Sequence, residues 1–80
     1  MDIQQIKTVI FEIAGDVFSA DSKLLSEDIK AGDLELWDSL GHLRFFLELE
    51  HRLNVKFSTT EILEIKSIKE IIHAVSAKKL

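Results

Sequence analysis

The chain has no cysteine and no proline, and only three glycines in 80 residues. Without cysteine there is no disulfide framework, no thiolate nucleophile and no cysteine-based zinc site. Without proline, and with so little glycine, the sequence suits helices better than turn-rich hairpins. No apolar run approaches the ~20 residues of a membrane span. The opening residues MDIQQIK lack the basic and apolar regions of a signal peptide. The expected setting is therefore soluble, reducing and cytoplasmic. Eighty residues suit a single domain spanning 1–80, with an expected radius of gyration of about 12 Å. So short a chain can hardly wall off a deep substrate cavity. With 46% hydrophobic residues and a net charge of −4, it is not disordered.

The charge is uneven. Between Asp21 and Asp38 stand six acids (Asp21, Glu27, Asp28, Asp33, Glu35, Asp38) and two lysines, Lys23 and Lys30, so this stretch accounts for the whole of the −4. The remaining acids and bases balance. A nucleic-acid partner calls for a basic stripe and is not expected. An acidic patch suits a basic protein surface, or is simply a solvated loop.

Periodicity places four helices. Ile3, Ile6, Val9, Ile10, Ile13, Ala14 and Val17 fall within an arc of about 140° at helical spacing, predicting a first helix from about Asp2 to Val17 with Asp2 as N-cap. Phe11 lies off that face. A second helix starts at Asp38 or Ser39 and ends near Leu53. Its stripe is Leu43, Phe46, Leu49 and Leu53, flanked by Phe45 and Leu47. That apolar surplus fits either a broad core face or a partner-facing surface. Ser58-Thr59-Thr60-Glu61 is a capping box for a short third helix, with Phe57 and Ile62 spaced as a hydrophobic staple. Ser67-Ile68-Lys69-Glu70 repeats the box before a fourth helix whose stripe is Ile68, Ile71, Ile72 and Val75. Lys78 and Lys79 suit the negative end of its dipole.

Residues 18–37 remain as one long connection, of a length that is often functional. Leu24, Leu25, Ile29, Leu34 and Leu36 are expected to pin it across the helices. The fold class is thus all-α: a bundle of three main helices plus one short helix, with a long acidic first loop.

Few residues offer chemistry. His42, His51 and His73 form no metal-binding spacing and read as solvated surface side chains; no metal site is expected. Ser39 and His42 are three apart, but the window Trp37-Asp38-Ser39-Leu40-Gly41 matches a nucleophile elbow only at its second glycine, with no preceding strand. An enzyme is not expected. Ser39 is better placed as an attachment point, since the amides and dipole at a helix start favour an anion by ~0.3–1 kcal/mol. Gly41 leaves room for another protein's backbone to approach. The plain alternative is that Ser39 is only the helix cap.

Asp33-Leu34, then Asp38-Ser39-Leu40 at a helix start, then Leu49-Glu50, Phe57, Ile65 and Ser67 follow one another without a gap from Asp38 onward. This order resembles acyl carrier proteins over nearly the whole chain, in an acyl-carrier-like bundle. The resemblance implies that Ser39, flanked by Asp38 and Leu40, receives 4′-phosphopantetheine from coenzyme A through a phosphopantetheinyl transferase. The arm's thiol would then hold acyl groups as thioesters for fatty-acid, polyketide or related biosynthesis. It implies acyl-loading and acyl-using enzymes as partners of a cytoplasmic monomer, with neither nucleic acid nor membrane among its partners. Candidate acyl-pocket residues are Leu43, Phe46, Leu49, Leu53, Ile65 and Ile71, although core is the simpler role for each. Candidate docking residues are Asp33, Glu35, Trp37, Arg44, Leu47 and Glu48, with Trp37 also fitting a loop anchor.

The chain departs from many fatty-acid carriers. Leu36-Trp37 replaces Gly-Ala before the motif, Gly41-His42 follows it, and Glu48 and Glu50 are balanced by Arg44 and Arg52 on the second helix. These differences imply a specialised free-standing carrier. The competing expectation is a small helical protein-interaction module that binds through Phe45, Leu47 and the acidic loop.

Overall fold

The computed structural model describes residues 1–79. Helices α1 (Ile3–Phe18), α2 (Ser39–Leu53), α3 (Thr59–Glu64) and α4 (Ile68–Lys79) follow one another, and no strand occurs among the described residues. The architecture is the expected all-α bundle of three main helices, one short helix and a long first loop. The radius of gyration is 11.3 Å.

Helix α1 is the hub, packing against both α2 and α4, while α3 rests on α2. Asp2 caps α1 in a capping box with Gln5. Ile6, Ile10, Ile13, Ala14, Val17 and Phe18 of α1 are buried, as its periodicity requires. Ile3 is exposed in the first turn, and Phe11 lies half-buried at the edge of the core.

Helix α2 is rotated from the expected face. Gly41, Phe45, Phe46, Leu49 and Leu53 are buried, whereas Leu43 is 44% exposed. Phe45 packs edge-on against Phe18 and Trp37, at ring-centroid distances of 5.1 and 5.5 Å. This aromatic cluster, which joins α1, the loop and α2, sets the rotation and turns Leu43 outward. The helix ends at Asn54 in the left-handed conformation that asparagine tolerates.

The long connection is more ordered than a free loop. Ser22–Leu24 form one turn of 3₁₀ helix capped by Asp21. Leu25, Ile29 and Leu34 pack on the core, but Leu24 and Leu36 do not; Leu24 is 80% exposed. Further along, the backbone of the loop supplies the start of α4: the amides of Ile68 and Lys69 donate to the carbonyls of Ile29 and Glu27 at 2.9 and 3.0 Å, and the Ala31 amide donates to Lys66. These bonds satisfy two of the donors that a helix N-terminus leaves open. The Ser67 hydroxyl also accepts from the Glu70 amide, while the Glu70 carboxylate accepts from Ser67 Oγ and the Lys66 amide rather than from the Ser67 amide. The box expected there is therefore shifted by one residue on its return arm. A tight turn follows in the loop, with Gly32 at φ 95° and its amide donating to the Trp37 carbonyl at 2.9 Å.

Candidate functional site

Asp38, not Ser39, caps α2. Its backbone is extended and its Oδ1 accepts from the Gly41 amide at 2.8 Å. Ser39 is therefore the first helical residue. It is exposed, and its hydroxyl has no hydrogen-bond partner among the described residues. The Ser39 and Leu40 amides are first-turn donors that the Asp38 side chain does not cover. Leu40 projects beside them, 64% exposed.

Trp37 fixes this corner. It is fully buried, stacks on Phe18 at 4.9 Å, and its amide donates to the Leu34 carbonyl. The anchor role holds, and burial removes Trp37 from the docking candidates. Gly41 is explained by the same corner. A β-carbon there would collide with the Leu36 carbonyl oxygen, so the space that glycine leaves is filled by the chain's own backbone and not by a partner's.

His42 is no solvated side chain. Its Nδ1 accepts from the Trp37 indole N–H at 2.9 Å, and its Nε2 lies 2.7 Å from the Ile62 carbonyl oxygen. Both nitrogens are thus engaged away from Ser39, and the two side chains form no nucleophile–base pair. His51 and His73 are exposed. No group of three metal-ligating side chains occurs among the described residues.

A groove of about 460 Å³ opens at Ser39, lined by Ala31, Gly32, Trp37, Asp38, His42, Leu63 and Lys66. None of the six acyl-pocket candidates lines it. Phe46, Leu49, Leu53 and Ile71 are buried core, and Leu43 faces outward. Ile65 lines a separate cleft of about 540 Å³ with Glu27, Lys69 and His73. Sequence periodicity could not find Leu63 and Lys66, because they come from α3 and the turn after it, more than 20 residues along the chain from Ser39. His42 had one usable signal, its position one turn after Ser39.

Among the docking candidates, Arg44, Leu47 and Glu48 share a shallow groove with Asp16, Val17 and Arg52, apart from the one at Ser39. Arg52 there bonds both Asp16 and Glu48 at 2.8 Å, and the Asp16 bond contributes most to holding its guanidinium above its ordinary pKa. Asp33 and Glu35 are exposed in the loop, where Asp33 Oδ2 accepts from the Lys30 amide at 3.0 Å. Phe45 is fully buried and offers a partner nothing; the outward apolar residues of α2 are Leu40, Leu43 and Leu47.

No protein-family model matches the chain, and no curated protein matches it.

Proposed function

We propose that the chain is an acyl carrier in which Ser39 bears 4′-phosphopantetheine. The observation that carries this reading is the division of labour at the start of α2. Asp38 performs the capping, which leaves an exposed, unpartnered hydroxyl at the first helical position. A serine that were only a cap would accept from the amide two or three residues on, Gly41 or His42.

The residues present fit the group. A phosphodiester on Ser39 Oγ would lie beside the first-turn amides of Ser39 and Leu40, where a helix N-terminus favours an anion. Lys66 lines the same groove and adds a positive charge. The arm would have the groove wall of Ala31, Gly32 and Leu63 to lie along. When bound, the group supplies a thiol that carries acyl chains as thioesters. The protein's own residues expose the attachment atom, hold the loop that presents it, and keep the helix start rigid. A flexible tether then raises the local concentration of cargo at each docked enzyme.

Half of the charged side chains on α2 are already ion-paired: Glu48 pairs with Arg52, which also pairs with Asp16. In the loop before it Glu27 pairs with Lys7, while Asp21, Asp28, Asp33, Glu35 and Asp38 form no ion pair among the described residues. This distribution favours a specialised carrier of a dedicated pathway. Elongation at full rate by the ketoacyl synthase of housekeeping fatty-acid synthesis would count against that narrower assignment.

The deciding experiment is intact-protein mass after incubation with coenzyme A, magnesium and a broad-specificity phosphopantetheinyl transferase. The expected outcome is the gain of one phosphopantetheine, abolished by Ser39→Ala. A folded chain left unmodified by several transferases would favour an interaction module using Leu40, Leu43 and Leu47.

A further inference from the structure

Helix α3 has six residues and none of them is buried. Isolated helices shorter than about 12–15 residues are marginal in water, so α3 depends on its neighbours. The carbonyls of its last turn lack partners within the helix. The Glu61 carbonyl accepts from the Ile65 amide at 2.9 Å, and the Ile62 carbonyl faces His42 Nε2 at 2.7 Å. His42 thus caps the C-terminal turn of α3 from across the bundle.

The protonation of the ring follows from its partners. An indole nitrogen only donates, so His42 Nδ1 must be the bare nitrogen that accepts from Trp37. The proton is then on Nε2, which donates to Ile62. Trp37, buried in the core, fixes the tautomer that lets His42 hold α3. The imidazole ring lies 4.9 Å from the ring of Phe46, and Phe46 lies 4.8 Å from Phe57, the residue before the cap of α3. Phe46 is fully covered. The other polar tie of α3 runs from Glu61 to Lys78 on α4 at 3.0 Å, and Ile62 packs half-buried on the core, so releasing His42 loosens the end that carries Leu63 and borders the Ser39 groove.

We propose that His42 is a latch that holds α3 shut against α2, and that its release opens the apolar interface over Phe46 and Phe57 to the groove beside Ser39. His42 acts here as a positioning residue. For a carrier, the latch decides whether a chain tethered at Ser39 stays in the groove or enters the bundle. That consequence rests on the function proposed above, whereas the latch rests on the two hydrogen bonds alone.

The test uses the full, unmodified chain, with amide hydrogen exchange and imidazole ¹⁵N NMR. In the wild type at neutral pH, Nδ1 should resonate as an unprotonated nitrogen and Nε2 as a protonated one. His42→Phe keeps a ring over Phe46 and loses both bonds. The exchange rates of the Ile62 to Ile65 amides, taken relative to Ile10 and Ile13 in α1, should rise about tenfold. His42→Gln, which carries both an acceptor and a donor, should recover much of that change. Should His42→Phe fail to fold, His42→Leu, which also lacks both bonds, takes its place with the same ratio. An unchanged ratio, an equal rise in His42→Gln, or a proton on Nδ1 would each overturn the latch. Ser39→Ala should leave the ratio unchanged, so failure of the carrier reading and failure of the latch are read separately.

Discussion

Helices α1 and α3 are held in opposite ways. Helix α1 contributes six buried side chains and sits between α2 and α4. Helix α3 buries none completely: Ile62 packs half-buried on the core, and its other fixed points are polar, namely the Ser58–Glu61 box, the Lys78 ion pair and the His42 bond. Apolar burial is non-directional and tolerates small shifts. Hydrogen bonds are local, and a single substitution removes one. From this contrast α1 is expected to open only with global unfolding, and α3 to open by itself. It also puts the least strongly held helix next to the groove at Ser39.

The strongest blow to the comparison should come from the core. Ile10→Ala removes a fully buried side chain and should cost about 2–5 kcal/mol. Urea unfolding should shift to a lower midpoint, with α1 and α3 probes moving together. If α3 alone loosened, the assignment of α1 as hub would be wrong.

Next comes the corner that joins α2 to the loop. Gly41→Ala should destabilise by roughly 1–3 kcal/mol because the new methyl meets the Leu36 carbonyl. Helix propensity alone would make the same change favourable by about 1 kcal/mol, so the sign of the change in urea midpoint separates the two effects.

Smaller still is the cap. Asp38→Ala should cost about 1 kcal/mol, whereas Ser39→Ala should stay within about 0.5 kcal/mol, as expected for an exposed side chain without a partner. Equal losses in the two variants, measured by chemical denaturation, would return the capping role to Ser39.

The smallest effect is confined to α3. The Ser58 amide, and after it Lys78, hold the Glu61 carboxylate below its ordinary pKa. A carboxylate whose pKa is lower folded than unfolded contributes stability above its unfolded value. That contribution is lost as pH falls toward the folded value. Exchange at the α3 amides, corrected for intrinsic rate, should therefore accelerate on the acid side of the carboxylate range while α1 stays protected. Glu61→Gln should flatten this dependence. An identical acid profile in the variant would leave the Glu61 contacts without energetic weight.

Much of the bundle was legible along the chain. The α1 stripe, the Asp2 cap, the Ser58 box and the start of α2 at Asp38-Ser39 are local patterns that fix dihedrals and faces within a few residues. The face of α2 was not legible. Phe45 and Leu43 are two residues apart and both apolar, and spacing favoured Leu43; the choice fell to Phe45 because Phe18 and Trp37 offer it aromatic neighbours. Gly41 was visible as a space but not as one filled by Leu36. The bond from His42 to Ile62 joins residues 20 apart, and no local pattern signals it. Leu63 of α3 and Lys66 of the turn after it reach the Ser39 groove only through the packing of α3 on α2.

The sequence by itself determined which segments are helical, where most of them begin, and which hydroxyl stands at the head of α2. These follow from side-chain periodicity and capping chemistry, which act over one or two turns. Only the tertiary structure decided which side of α2 faces inward, that Trp37 is an anchor, and that His42 ties α3 to the core. Those outcomes depend on rings and carbonyls from distant segments competing for the same interior, where close packing leaves each position one neighbour set.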